Sequence, residues 1–189
     1  MSLSQHFQVL ADLLASLEAS DSQGLRVNLD EAAKKAVETI LTVRSSGGKI
    51  ISLGNGGSAA IASHLQTDLC HSIKVRALAF QEPPLLTALA NDLGYPAVFE
   101  RPIKLWAEPG DLLIAISSSG KSANILAAAV AAKEKGCRVL TLSGFDPDNP
   151  LRRLGDLNFW VPSFDYGLVE TAHQALAHYL TDRAKSLIL

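Results

Sequence analysis

Five short apolar runs, at residues 49–53, 75–80, 112–116, 138–142 and 158–161, are each bounded by glycine, proline or serine and separated by helix-length segments. None alternates strictly between apolar and polar side chains, which is how strands covered on both faces read. Strands alternating with helices imply parallel pairing through right-handed crossovers, with helices on both sides of one sheet. The pattern predicts an α/β fold built on a doubly wound, five-stranded parallel sheet. Ahead of it, Leu10, Leu13, Leu14 and Leu17 recur at helical spacing, as do Ala33, Val37, Ile40 and Leu41. Residues 2–46 therefore read as a two-helix N-terminal extension broken at residues 20–24, and a last helix is expected from about residue 167 to near the C-terminus. With 189 residues the chain is expected to form a single domain over 1–189.

Composition narrows the partners. With 17 basic and 19 acidic side chains, a net charge of −2 and a hydrophobic share of 48%, the chain advertises no broad basic surface for nucleic acid or an anionic membrane. Any anionic ligand has to be held locally. Cys70 and Cys137 lie far apart with no CxxC spacing, as expected of thiols in a reducing compartment. The N-terminal MSLSQHF lacks a secretory pattern, and no apolar run approaches the roughly 20 residues of a membrane span. A cytoplasmic location is expected, with no membrane partner.

Two loops at strand carboxyl ends are suited to an anion. Gly54-Asn55-Gly56-Gly57-Ser58 follows the first run and opens a helix, so that glycine can turn N–H groups toward one point where the helix end adds partial positive charge. Ser117-Ser118-Ser119-Gly120-Lys121-Ser122 follows the third run and again leads into a helix, giving a phosphate cradle of hydroxyls and N–H groups. Gly54-x-Gly56-x-x-Ala59 matches a dinucleotide fingerprint only weakly, because the acid it wants at the end of the second strand has only Glu82 near it, and the fingerprint normally opens a domain rather than following two helices. Gly120-Lys121-Ser122 fails as a P-loop because Ala115 stands where that motif needs glycine. No nucleotide cofactor is expected.

His64 and Asp68, four residues apart, share one face of the helix leaving the glycine loop. The last helix carries Glu170, Gln174 and His178 on one face, with His173 a turn from Glu170. Two chemistries compete for this set. Asp68 and His178 can act as the base and acid of a proton shuttle. Alternatively, His64, Asp68, Glu170 and His178 can hold a divalent metal, zinc above all. Against the second stands the span from Glu170 to His178, about 12 Å along a helix axis.

The motifs Gly54-Asn55-Gly56-Gly57-Ser58-Ala59-Ala60, Ala88-Leu89-Ala90-Asn91-Asp92-Leu93-Gly94-Tyr95, Pro109-Gly110-Asp111 and Ile116-Ser117-Ser118-Ser119-Gly120-Lys121-Ser122 with Asn124 closely resemble the sugar isomerase (SIS) domain of the phosphoheptose isomerase family. The resemblance implies an aldose–ketose isomerase converting sedoheptulose 7-phosphate to glycero-manno-heptose 7-phosphate. It also implies a homotetramer with active sites between subunits, and one zinc ion per subunit. By position it assigns the phosphate to Ser117, Ser118, Ser119 and Ser122, and the sugar to Asn55, Gly56 and Ser58, with Asp92 in a polar loop nearby. The family's catalytic glutamate falls on Asp68, its catalytic histidine on His178, its zinc-site histidine on His64, and a glutamine that joins the site on Glu170. Two of these depart from the pattern: Asp68 is one methylene shorter, and Glu170 puts a charge where an amide is expected. The alternative is a non-catalytic SIS-domain protein that binds phosphosugars or assists replication initiation. Relatives of that kind lack the acid and histidine that this chain retains.

Overall fold

Strands that lack polar alternation must be covered on both faces, and the computed structural model, which describes residues 1–188, does so in three layers. In chain order the elements are α1 (Leu3–Ala15), β1 (Glu18–Asp21), β2 (Arg26–Val27), α2 (Leu29–Ser45), β3 (Lys49–Leu53), α3 (Gly57–Asp68), β4 (Arg76–Leu78), α4 (Pro83–Leu93), α5 (Ala97–Trp106), β5 (Leu112–Ser117), α6 (Ala123–Glu134), β6 (Arg138–Ser143), β7 (Leu157–Trp160) and α7 (Tyr166–Ser186). A π-helical turn, Leu69–Ile73, prolongs α3, and a 3-10 turn, Leu151–Arg153, precedes β7.

The sheet runs β2-β1-β7-β6-β5-β3-β4. Its five strands from β7 to β4 are mutually parallel, and they correspond to the five apolar runs. Period-two alternation along each strand feeds two cores. Ile114 and Ile116 of β5 pack with residues of α2, α3 and α7, whereas Leu113 and Ala115 pack with α5 and α6. All these side chains are buried, so the runs look uniformly apolar even though neighbours serve opposite layers.

The expected break at residues 20–24 is corrected. Glu18–Asp21 is a strand that pairs antiparallel with β7, and β2 pairs antiparallel with it, bringing the sheet to seven strands. Glu-Ala-Ser-Asp has little intrinsic preference for a strand, and tertiary context supplies the reason. β7 would otherwise leave an open edge, and the buried Asn158 amide donates to the carbonyls of Ser20 at 3.3 Å and Asp21 at 3.1 Å. The Asp21 carboxylate then makes the turn by accepting from the N–H groups of Gln23 and Leu25 at 2.9 and 3.0 Å.

At the amino end of β5, Asp111 ties the layers together. Its carboxylate accepts from the Lys49 and Glu108 backbone N–H groups, each at 2.8 Å, and pairs with the Lys49 ammonium at 2.7 Å. Burial works against the Lys49 charge, but the hydrogen bonds and charges of Asp111 and Glu108 outweigh it and raise its pKa. This accounts for the Pro109-Gly110-Asp111 motif as framework, far from the loops at the strand carboxyl ends. Asp111→Ala leaves one buried and one part-buried N–H donor unmatched and strips Lys49 of its buried carboxylate, leaving only the exposed Glu108, and is expected to cost about 3 kcal/mol. Urea unfolding of the variant beside the parent checks this.

Candidate active site

The chain leaves the carboxyl ends of β3 and β5 in opposite directions, through α3 to β4 and through α6 to β6. Neighbouring strands with diverging connections leave a crevice between their loops. The helices α3 and α6 both begin at this crevice, and neither has a side-chain hydrogen bond capping its N-terminus. Their first N–H groups and partial positive charge are thus available to an anion.

Asn55, Gly56, Ser58, Ser117, Ser118, Ser119, Ser122 and Glu170 line one cavity of about 220 Å³. Ser117 and Ser122 hydroxyls meet at 3.1 Å, and the Ser119 hydroxyl accepts from the Lys121 N–H at 3.2 Å. The buried Ser118 hydroxyl has no hydrogen-bond partner among the described residues, so its donor is free at the cavity wall. Gly120 takes φ 62°, and a Cβ there would overlap the side chain of buried Asn149, so the serine loop needs glycine to close against that residue. Lys121 turns outward to Asp146 at 3.1 Å. Among the described residues lining the cavity there is no cation, and its one charged side chain is Glu170.

Asp92 lies elsewhere. It sits near the end of α4, exposed, accepting from the Asn91 amide at 3.0 Å, and does not line this cavity. Tyr166 lines the wall unforeseen, because it is brought in by the start of α7, and no local signal in the sequence marks it. Tyr95 and Asn124 belong to the quoted motifs, but their part was not legible there: both bond to Asn55.

α3 and α7 pack side by side on one face of the sheet, in the same direction. Gly57 at the start of α3 meets Glu170, and a Cβ at Gly57 would overlap that carboxylate. Farther along, Asp68 Oδ2 lies 3.6 Å from His64 Nε2 and 3.4 Å from His178 Nδ1. The two imidazoles meet edge to face with centroids 4.9 Å apart. One donor atom from each of these three residues lies within 4.8 Å of the others, a spacing and an N,N,O donor set that zinc can use. Glu170 is not in this group. Two turns of α7 separate it from His178, and it points at Gly57 instead, so the four-residue set expected from sequence contracts to three. An open groove lined by Gly57, Ile61, Glu170, Gln174 and His178 continues from the cavity toward the trio.

A larger cavity of about 480 Å³ lies at the opposite, amino-terminal ends of β5, β6 and β7. It carries no comparable acid–base pair, and burial pushes the Cys137 thiol there up to about 11.

Residues 14–144 match the SIS domain model. The phosphoheptose isomerase of Thiobacillus denitrificans is 34% identical over 192 residues, spanning 97% of this chain and 93% of the relative. The chain belongs to the phosphoheptose isomerase family of SIS domains. Another phosphoheptose isomerase, from Aliarcobacter butzleri, is 35% identical over 90% of this chain and 92% of its own length. The solved phosphoheptose isomerase of Neisseria gonorrhoeae superposes with a TM-score of 0.84 at 29% identity, covering 96% of this chain and 97% of that one. Asp68, one methylene shorter than the family pattern, still brings Oδ2 within reach of both imidazoles.

His173, on the buried side of α7, is fully enclosed, and its Nε2 faces the Ser143 carbonyl at 3.1 Å. Burial lowers its pKa from 6.5 to about 4, against the opposing effect of that hydrogen bond. Between these values the unfolded chain binds a proton that the folded chain does not. Stability is therefore full above pH 6.5 and falls as the pH drops toward 4, by on the order of 3 kcal/mol. His173→Gln should flatten that slope, which melting temperatures of parent and variant between pH 7 and 4 will reveal.

Proposed function

We propose that this sugar-phosphate isomerase interconverts sedoheptulose 7-phosphate and glycero-manno-heptose 7-phosphate, with the phosphate in the serine-loop cavity and the carbonyl end beside Asp68 and His178. The observation that carries the reading is the continuity between cavity, groove and trio: Gly57 and Glu170 line both the cavity and the groove, and the groove reaches His178. A ligand anchored at one end has its other end delivered to a carboxylate and an imidazole in mutual contact.

Phosphate binding rests on neutral donors: the hydroxyls of Ser117, Ser118, Ser119 and Ser122 and the N-termini of α3 and α6. At the reacting end, Asp68 takes the proton from the hydroxyl-bearing carbon next to the carbonyl while His178 gives a proton to the carbonyl oxygen, forming an enediol. Asp68 then delivers the proton to the former carbonyl carbon as His178 takes one back from the first carbon's hydroxyl, which becomes the aldehyde. The 3.4 Å approach of Asp68 to His178 lets the carboxylate orient the imidazole. His64, Asp68 and His178 would hold a zinc ion, which would polarise the ligand's carbonyl and hydroxyl oxygens when bound. The retained acid and histidine favour catalysis over phosphosugar binding alone.

A homotetramer in the cytoplasm completes the proposal. Supporting assembly, α1 buries none of its residues and leaves Leu3 and Phe7, one turn apart, exposed at 69% and 59%. Among the described residues no helix is long and apolar enough to cross a membrane.

Asp68→Asn and His178→Gln should each lower turnover of sedoheptulose 7-phosphate by at least about 100-fold while leaving its binding in place. NMR detection of the aldose product, with calorimetry for binding, measures both; undiminished turnover in the two variants rules the assignment out. Zinc titrated into chelator-treated protein should bind at one site per chain and fail to do so in His64→Ala.

A further inference from the structure

Asn55 lines the cavity, and its side-chain amide is held in one orientation by its hydrogen-bond partners. Asn55 and Asn124 form a reciprocal amide pair: Nδ2 of each donates to Oδ1 of the other at 2.9 Å. Such a pair is symmetric, since turning both amides over would preserve both bonds. What breaks the symmetry is the backbone. The Ile125 N–H reaches the same Asn124 atom at 3.0 Å, and an N–H can only donate, so that atom is the oxygen. The amide of Asn55 is then set as well. Its Oδ1 also takes the Tyr95 hydroxyl at 2.9 Å, which occupies its second lone pair. One N–H of Nδ2 is left.

We propose that Asn124 and Tyr95 are positioning residues that present Asn55 to the cavity as a hydrogen-bond donor with no acceptor capacity, so that the ligand places an oxygen acceptor against it. This rests on the cavity being the sugar-phosphate site, and it adds two residues, neither of which lines that cavity. Asn124 is 2% exposed at the start of α6, whereas Asn55 leaves the carboxyl end of β3. Their bond therefore bridges the two loops that rim the crevice and fixes the width across which a ligand must fit. Tyr95, half exposed beyond the end of α4, holds the outer side of the same amide. A carbonyl, hydroxyl or phosphate oxygen meets the remaining N–H, while a ligand group that can only donate finds no partner there.

The test is a pair of double-mutant cycles read by calorimetry with sedoheptulose 7-phosphate. Asn124→Leu should weaken binding about tenfold in the parent protein and less than about twofold in an Asn55→Ala background, because Asn124 acts through Asn55. Tyr95→Phe, at an exposed position that leaves folding intact, should weaken binding about threefold in the parent and have no effect in the same background. A purely structural role would produce equal losses in both backgrounds. Equal losses, or none in the parent, overturn the inference. Failure of the parent protein itself to bind sedoheptulose 7-phosphate is a separate result, and overturns the sugar-phosphate reading on which the inference stands.

Discussion

The side-by-side passage of α3 and α7 is the constraint on which the rest of the site depends. Both helices bury apolar faces in the same core, Ile61 and Leu65 from α3 beside Val169, Leu176 and Leu180 from α7. That packing is a non-directional force, yet it sets a directional arrangement: Gly57 against Glu170 at one end, and Asp68 against His178 at the other. Close approach at the first pair is possible because Gly57 has no Cβ. The approach of the second pair follows from the register thus established.

Among the described residues, no lysine or arginine lines the proposed phosphate cavity, so binding there falls to neutral donors held by the backbone. Hydroxyls and N–H groups at two helix starts are aimed by the fold itself, and the loop that carries them is closed by buried Asn149 beneath Gly120. The Asn149 amide donates to the Asp146 carbonyl at 2.8 Å and its oxygen accepts from the Arg152 N–H at 3.0 Å, so the cradle rests on a fully enclosed polar residue. Lys121, the one cation of that loop, pairs with Asp146 outside, and the Asp148 N–H and Lys121 together hold the Asp146 carboxyl below its usual range.

Much of this was legible from the chain. The five parallel strands, the helix starts at Gly57 and Ala123, and the shared faces of His64 with Asp68 all follow from local pattern, because strand burial and helical periodicity are local consequences of composition. β1 and β2 were not legible: Glu18–Asp21 becomes a strand through the edge of β7, whose Asn158 lies 138 residues from Ser20. Asp92, placed by its motif in a polar loop near the sugar, stands exposed near the end of α4 and is not among the residues lining this cavity. The likeness of Glu170 to a fourth metal ligand came from sharing a face with His178, and sharing a face says nothing about which turn a partner helix approaches.

Eight residues of α7 separate Glu170 from His178, about 12 Å and a little over two turns. Because the helix is rigid over that span, its length and its angular phase cannot change independently. One residue inserted between them would swing His178 by about 100° off the face that meets Asp68, and deleting one would do the same in the opposite sense. The stretch from the cavity wall to the acid–base pair therefore behaves as a gauge with fixed graduations, able to accept substituted side chains along its outer face but no change in their number.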